Sequence, residues 1–203
     1  MSERMRQFHL SPCQNIKAIL SYMGCRKATA EVLELVHDVI RETEGIFSDR
    51  ICYREFDVWV DGDTVDLTFA KVQSRSLADF LHNDAAVLVF AATVGLEIDR
   101  LIAKYTRISP SRALALQAVG TERVERLCDT FCDHMRMEYD NEGLWIRPRF
   151  SPGYGDLSLE LQKDIFKALD CPRRIGLTLN DSMLMSPTKS VTAIVGLRER
   201  EII

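Results

Sequence analysis

Residues 144–169 read LWIRPRFSPGYGDLSLELQKDIFKAL, and this stretch decides the fold. Its first part, from Leu144 to Phe150, is typical of a strand, and Leu159 to Leu169 has the periodicity of a helix. Between them, Pro152-Gly153 marks a turn. Polar side chains and exposed backbone N–H groups at a strand-to-helix turn commonly meet ligands. The simpler interpretation is a strand end whose arginines are solvated, and spacing alone leaves both interpretations open.

A hairpin is predicted earlier in the chain. Residues 56–60 and 65–69 each alternate apolar and polar side chains, which is the period of a strand with one buried face. Asp61-Gly62 lies between them and is a two-residue turn of the kind that hairpins prefer. The pairs expected from that turn are Val58 with Val65 and Phe56 with Leu67.

The other periodic segments predict a mixture of helices and strands. The expected helices are 16–23, 29–44, 76–81, 96–105 and a longer one from Ser109-Pro110 to Met135, and the expected strands are 86–92 and 190–197. Cys171-Pro172 is expected to end the helix before it. A hairpin with few β-α-β units favours an α+β fold in which helices flank an antiparallel sheet. We expect one domain over 1–203, with a helical N-terminal part at 1–50 and an α+β core at 51–203.

Charge and hydropathy argue against several kinds of partner. The formal net charge is -4, and an acidic chain lacks the basic footprint that nucleic-acid phosphates require. No apolar run approaches the roughly 20 residues that span a bilayer, and no signal-peptide core follows the polar N-terminus. We therefore expect a cytoplasmic protein with no nucleic-acid and no membrane partner.

Cysteine spacing argues against a metal centre. None of the six cysteines forms a C-x-x-C pair. Cys128 and Cys132 are four residues apart in a helical stretch, and His134 falls on a different face of that helix, so a metal would lack ligands. We expect no metal site, and small buried thiols in a reducing compartment.

Gly153-Tyr154-Gly155 allows a rival interpretation as part of a nucleotide-binding glycine loop. Ser158 stands where that loop has its third glycine. The residues that follow are too few for the remaining strand-helix units of a doubly wound sheet. We therefore expect no Rossmann core.

Two motifs resemble those of a known family. Arg149-Phe-Ser-Pro-Gly-Tyr154 resembles an R-x-x-P-G-Y motif, and residues 176–191, GLTLNDSMLMSPTKSV, resemble a G-x-x-L-T-x-S-x-x-M-x-P-x-x-S-V signature. Both motifs are those of the activation domain of cobalamin (vitamin B12)-dependent methionine synthase. The resemblance is strongest from about Ser109 to Leu197. It implies an α+β fold like that activation domain, with a shallow groove beside an antiparallel sheet.

The resemblance also implies an activity. In that family the domain binds S-adenosylmethionine, docks over a corrinoid oxidised to cob(II)alamin, and supports its reductive remethylation. A flavodoxin or ferredoxin-type donor supplies the electron. The chain would thus be a methyltransferase component that is not self-sufficient, with the cobalamin carried by a partner protein. Two alternatives stay open: reactivation of a different corrinoid methyltransferase, and a non-catalytic module that only docks on a corrinoid protein.

Five residues carry the roles that the resemblance implies. Arg149 would pair with the carboxylate of the donor's methionyl part, and Glu125 would hold its amino group. Ser151 would contribute backbone polar groups, and Gly153 would allow the ligand to approach closely. Tyr154 would stand beside the sulfonium and the reacting methyl group, which makes it the candidate catalytic residue.

The sequence also departs from the family in ways that bear on the site. Larger members have an acidic residue near the start of the domain, where the nearest candidate here is Asn15, whose simplest role is to cap a helix. They also have a tyrosine beyond the last signature strand that this chain lacks. No D-x-H-x-x-G element is present to supply a histidine to cobalt, so we expect the corrinoid to belong to another polypeptide.

Overall fold

The computed structural model describes residues 4–11 and 15–199. These residues form seven helices, which are α1 Ile16–Tyr22, α2 Ala30–Glu42, α3 Arg75–Leu81, α4 Glu97–Ile108, α5 Pro110–Asn141, α6 Leu161–Ala168 and α7 Cys171–Ile175. The strands are β1 Arg4–Gln7, β2 Arg50–Asp57, β3 Trp59–Asp61, β4 Thr64–Asp66, β5 Lys71–Gln73, β6 Ala86–Thr93, β7 Leu144–Phe150, β8 Thr178–Leu179, β9 Met185–Ser186 and β10 Ser190–Glu199. No helix among the described residues is both long enough and apolar enough to cross a membrane.

A five-stranded antiparallel sheet is the centre of the fold. Its strand order is β1-β2-β6-β10-β7, and every neighbouring pair runs antiparallel. A separate three-stranded sheet contains β3, β4 and β5, and β8 pairs with β9. The prediction of an α+β fold with helices flanking an antiparallel sheet is therefore confirmed.

The two faces of the main sheet bury two different apolar clusters. Because side chains alternate along a strand, Ala193 and Val195 of β10 face the cluster that contains the apolar stripe of α5. Ile194, between them, faces the cluster formed by α3, α6 and α7. Strand β10 thus links both halves of the core.

The long helix α5 packs closely against its neighbours at Gly120. A Cβ atom at this position would lie 3.1 Å from Cγ1 of Ile98 and 3.1 Å from Cγ of Lys189. The sequence placed a glycine on the apolar stripe, and the structure shows that side chains from α4 and from the segment before β10 occupy the space that it leaves.

A buried ion pair joins α5 to the N-terminal segment and to the start of β2. Arg123 and Asp49 are 5% and 3% exposed, and Nε of Arg123 donates to Oδ1 of Asp49 at 3.1 Å. The same guanidinium donates to the carbonyl oxygens of Ser11 and Leu10, at 2.6 and 3.1 Å, and stacks over the ring of Phe47. These additional hydrogen bonds help to offset the free-energy cost of burying the two charges.

The predicted hairpin register is wrong by two residues. Val60 pairs with Val65, not Val58 with Val65, and Phe56 pairs with Val87 of β6, not with Leu67. The loop is Gly62-Asp63, and only its first residue has a positive φ, of +58°. That is the geometry of a turn with glycine at the first central position, whereas Asp61-Gly62 would require a positive φ at Asp61.

The helix before Cys171-Pro172 ends as predicted, since α6 stops at Ala168, but these two residues begin a separate short helix, α7, that the sequence did not predict. Proline is well suited to the first turn of a helix, where its missing N–H has no partner to lose. The break between α6 and α7 falls at Asp170, which has a left-handed φ of +48°. Apart from the hairpin strands, the other predicted helices and strands are confirmed to within three residues at their ends, except that α5 continues beyond Met135 to Asn141.

Removal of one partner from the buried ion pair tests its role. We expect Asp49→Ala to lower the free energy of unfolding by about 3–5 kcal/mol, because it leaves the Arg123 charge buried without its counter-charge. The matched control is Asp133→Ala, which removes an exposed partner of Arg136 on the same helix and should change stability by less than about 0.5 kcal/mol. Urea unfolding measures both, and equal midpoints for the two variants would contradict this account.

Candidate functional site

A groove of about 440 Å³ opens where β7 ends and the chain turns toward α6. Strand β7 pairs with β10 only from Ile194 to Glu199. Residues 190–193 therefore have β6 on one side and, within the part of the chain that the structure describes, no strand on the other. The groove lies against this free edge and is closed by α5 and α6. Its lining residues are Glu125, Pro148, Arg149, Ser151, Pro152, Tyr154, Gln162, Met185, Ser190, Val191 and Thr192.

Four of the five residues named from the sequence line this groove. They are Glu125, Arg149, Ser151 and Tyr154. The fifth, Gly153, is not among the lining residues; its φ is +92° and a Cβ would lie 3.4 Å from Leu159, so the structure places it in the turn. The exposed Tyr154 is at the mouth, with 58% of its surface accessible.

Arg149 is held between two carboxylates of α5. Its Nη2 lies 3.1 Å from Oε2 of Glu125 and 2.7 Å from Oδ1 of Asp129. Burial alone would lower the pKa of Arg149, but Cys128, Glu125 and Asp129 outweigh that effect and raise it above its ordinary value. The groove lining therefore contains one positive charge and the negative charge of Glu125, and a second negative charge, that of Asp129, contacts the same guanidinium from outside the lining. This arrangement complements a zwitterion, since a carboxylate fits the guanidinium and an ammonium group fits the acids.

Sequence reasoning did not identify Asp129 and Gln162 as site residues. Asp129 follows Glu125 by four positions on α5, a spacing that places both side chains on one helix face, so this signal was available. Gln162 is 6% exposed in the first turn of α6, and a single glutamine in a helical pattern carries no comparable signal.

The turn that carries Tyr154 is anchored to the start of α3. Oδ1 of Asp156 accepts hydrogen bonds from Oγ of Ser74 at 2.6 Å and from N of Ser76 at 3.1 Å. Its Oδ2 accepts from N of Arg75 at 2.9 Å. These bonds hold the pKa of Asp156 well below its usual range. Gly155 has a φ of +56° and lies directly against Ser76, so the turn has little freedom to move.

Cys128 and Cys132 are two thiols of α5 that lie near Arg149. Both are buried, and burial raises the pKa of Cys132 to about 11 and that of Cys128 further still. Neither thiol ionises near neutral pH. Among residues 4–11 and 15–199, no group of three or more His, Cys, Asp or Glu side chains is placed to hold a metal ion.

Comparison with known proteins identifies a family and structures of the same fold. The model of the family "Vitamin B12 dependent methionine synthase, activation domain" matches residues 66–200. A solved structure, the crystal structure of the MetH reactivation domain bound to AdoHcy, covers 100% of this chain and 80% of its own at a TM-score of 0.68 and 14% identity. At that identity the likeness shows the fold. No curated protein matches.

The close contact between Gly155 and Ser76 predicts that replacement of this glycine lowers the stability of the protein by more than its positive φ alone would. A Cβ there would lie 2.4 Å from Oγ and 2.7 Å from Cβ of Ser76, whereas Gly62, at a similar φ of +58°, has nothing within 4 Å. Gly62→Ala should cost about 1–2 kcal/mol of stability, from backbone strain only. We expect Gly155→Ala to cost about 1–3 kcal/mol more, because it also overpacks the turn. Equal losses in urea unfolding would contradict a close fit between the turn and α3.

Asp156 predicts a pH dependence with a definite sign. Its pKa is lower in the folded protein than in the unfolded chain, so its stabilising effect is complete above the unfolded value and is lost as pH falls toward the folded one. An aspartate in an unfolded chain titrates at about pH 3.9. We therefore expect the melting temperature of the wild type to decline more steeply below about pH 5 than that of Asp156→Asn.

The control for this measurement is Asp181→Asn, which changes an exposed aspartate between β8 and β9. Its melting temperature should decline below about pH 5 as steeply as that of the wild type. Parallel melting curves for wild type and Asp156→Asn from neutral to acid pH would show that the bonds to α3 do not depend on the charge.

Proposed function

The chain belongs to the activation-domain family of vitamin B12-dependent methionine synthase, a methyltransferase, and we propose that it binds S-adenosylmethionine in the groove to support reductive remethylation of cob(II)alamin on a partner corrinoid protein. The observation that carries this proposal is Arg149, fixed between Glu125 and Asp129 at the edge of the groove. The relative of the same fold was solved with AdoHcy bound. The groove volume of about 440 Å³ lies within the range of small-molecule sites.

The amino-acid part of the donor is complementary to the charged end of the groove. Its carboxylate would accept two parallel bonds from the planar guanidinium of Arg149, the geometry in which arginine binds carboxylates most specifically. Its ammonium group would donate to Glu125 and Asp129, which already lie within 3.1 and 2.7 Å of that guanidinium. The donor's amino-acid part would thus place a negative charge beside the guanidinium and a positive charge beside the two acids. Its sulfonium would add a second positive charge, so that the charges of the occupied groove sum to zero.

Tyr154 and its turn would place the reacting methyl group at the surface. The acceptor is carried by another protein, so the methyl group has to remain reachable from outside. Tyr154 is 58% exposed at the mouth, and its ring packs edge-on against Phe150, with the ring centroids 6.0 Å apart. An aromatic face at this position stabilises the sulfonium cation. Ser151 and Gly153 would shape the turn around the ligand with their backbone groups.

The reaction requires orientation from this chain and no general base. One electron from a flavodoxin or ferredoxin-type donor reduces the partner's cob(II)alamin to cob(I)alamin. The cobalt of cob(I)alamin then takes the methyl group from the sulfonium, and the electron pair of the broken S–C bond stays on sulfur. The products are methylcobalamin and S-adenosylhomocysteine. No proton is transferred in these steps. The task of the groove is therefore to bind the donor and to aim it at the docked partner. We place this activity in the cytoplasm.

Replacement of Arg149 tests the site directly. Isothermal titration of S-adenosylmethionine should show saturable binding to the wild type, and Arg149→Met should weaken it about 10-fold to 100-fold through the loss of a charge-assisted pair. The matched control is Arg173→Met, since that side chain is 86% exposed on α7 and lies outside the groove lining; it should bind like the wild type.

The second measurement follows remethylation by absorbance, with the corrinoid-binding core of a methionine synthase, a reductant and S-adenosylmethionine. Conversion of cob(II)alamin to methylcobalamin should depend on this chain and should fall with Arg149→Met. Absence of donor binding both with and without the corrinoid core would contradict the proposal. Equal remethylation by wild type and Arg149→Met would favour the non-catalytic docking module instead.

A further inference from the structure

Gln162 is a buried side chain of the groove whose amide oxygen lacks a hydrogen-bond partner. It is 6% exposed and lines the groove together with Pro152 and Thr192. Its Oε1 is buried, and no described residue donates a hydrogen bond to it. Buried polar atoms in folded proteins are nearly always paired, so an exception asks for an explanation. The neighbouring Leu161, Ile165 and Phe166 of α6 are apolar and buried in the core, and they make a polar residue here more unusual.

Stability does not explain a glutamine at this position. A buried amide oxygen without a partner destabilises a protein, and an apolar side chain of similar size would remove that cost. Ser190 does not relieve it, because its hydroxyl bonds to Pro187 and to Thr93 instead. Gln162 therefore has an unused hydrogen-bonding capacity at the wall of a ligand-sized groove.

The chemistry of an amide restricts what this side chain can recognise. It offers one acceptor and one donor side by side, and rotation about its last torsion, which is broad, decides which of the two faces the groove. The charged end of the groove, at Arg149, Glu125 and Asp129, complements the amino-acid part of the donor, and Tyr154 suits the sulfonium. The nucleoside is the part of the ligand that still needs a partner. Adenine displays an amino donor beside a ring-nitrogen acceptor, the pattern that glutamine reads with two parallel bonds.

We propose that Gln162 reads the adenine edge of the methyl donor and makes the groove specific for a 6-amino purine. This inference rests on the proposed function, since it assigns the nucleoside end of the same site. With its amide turned into the groove, Gln162 accepts through Oε1 from the exocyclic amine and donates through the amide nitrogen to N7, the ring nitrogen on the same edge. At that edge a 6-oxo purine presents two acceptors, O6 and N7, so the amide can make only one of the two bonds in either orientation.

The test compares S-adenosyl-L-homocysteine with S-inosyl-L-homocysteine by isothermal titration. These ligands differ only in the purine edge, because an oxygen replaces the amine. We expect the wild type to favour the adenosyl ligand by about 10-fold to 100-fold. Gln162→Met should bind the adenosyl ligand more weakly and retain a preference of about 3-fold or less. The matched control, Gln117→Met on the exposed side of α5, should retain the wild-type preference.

Thermal unfolding without ligand distinguishes recognition from a structural role. Because Gln162→Met removes an unpaired buried oxygen, its melting temperature should equal that of the wild type or exceed it by about 2–4 °C. A marked fall in melting temperature together with unchanged discrimination would overturn the inference in favour of a structural role. Equal binding of both nucleosides by the wild type would overturn it while the proposed function stands. Absence of binding of either ligand would overturn the proposed function and this inference with it.

Discussion

The register between β7 and β10 is the constraint on which the site depends. The two strands pair from Glu199 to Ile194 and stop where Phe150 meets Ile194. Side chains alternate along β7, so Arg149 lies on the α5 side and Phe150 lies on the α6 side, where its ring packs against Phe80. A slip of one residue would exchange these two side chains between the faces of the sheet. It would remove the guanidinium from its two carboxylates and bury it in an apolar cluster.

A bulge fixes this register. The pairing shifts between Val195 and Leu197, and a Cβ at Gly196 would lie so close to Oδ2 of Asp84 that any larger residue would displace this carboxylate. The carboxylate of Asp84 also accepts from Nε of Arg198 at 2.9 Å and has Nη1 of Arg147 3.8 Å away. Burial raises the pKa of Asp84 although both arginines oppose that effect. One carboxylate thus joins β7, β10 and the segment before β6 at the end of the sheet opposite the groove.

The sequence predicted the parts of the site that depend on local patterns. The strand that carries Arg149 and the long helix that carries Glu125 both have strong periodicity, and the family motif marks the turn between β7 and α6. The register of β3 with β4 was missed because a hairpin turn can shift by two residues and keep the same face buried. Gln162 was missed for a different reason. Its proposed role rests on an amide oxygen without a partner and on a nearby free strand edge. Both features arise only when distant segments of the chain pack together.

Asn15 is the nearest counterpart of the acidic residue that larger family members have near the start of the domain. The proposed site has to bind the donor's amino group without that acid. Oδ1 of Asn15 accepts from N of Ala18 at 3.0 Å and caps α1, so its side chain is already used in the helix. Asp129, one turn after Glu125, places a second carboxylate within 2.7 Å of Arg149. Two acids on one helix face can hold an ammonium group that a single acid would bind less well, since each contributes a charge-assisted bond. In the proposed function, recognition of the donor's amino group therefore depends on α5 alone, and it does not require the N-terminal segment to close over the groove.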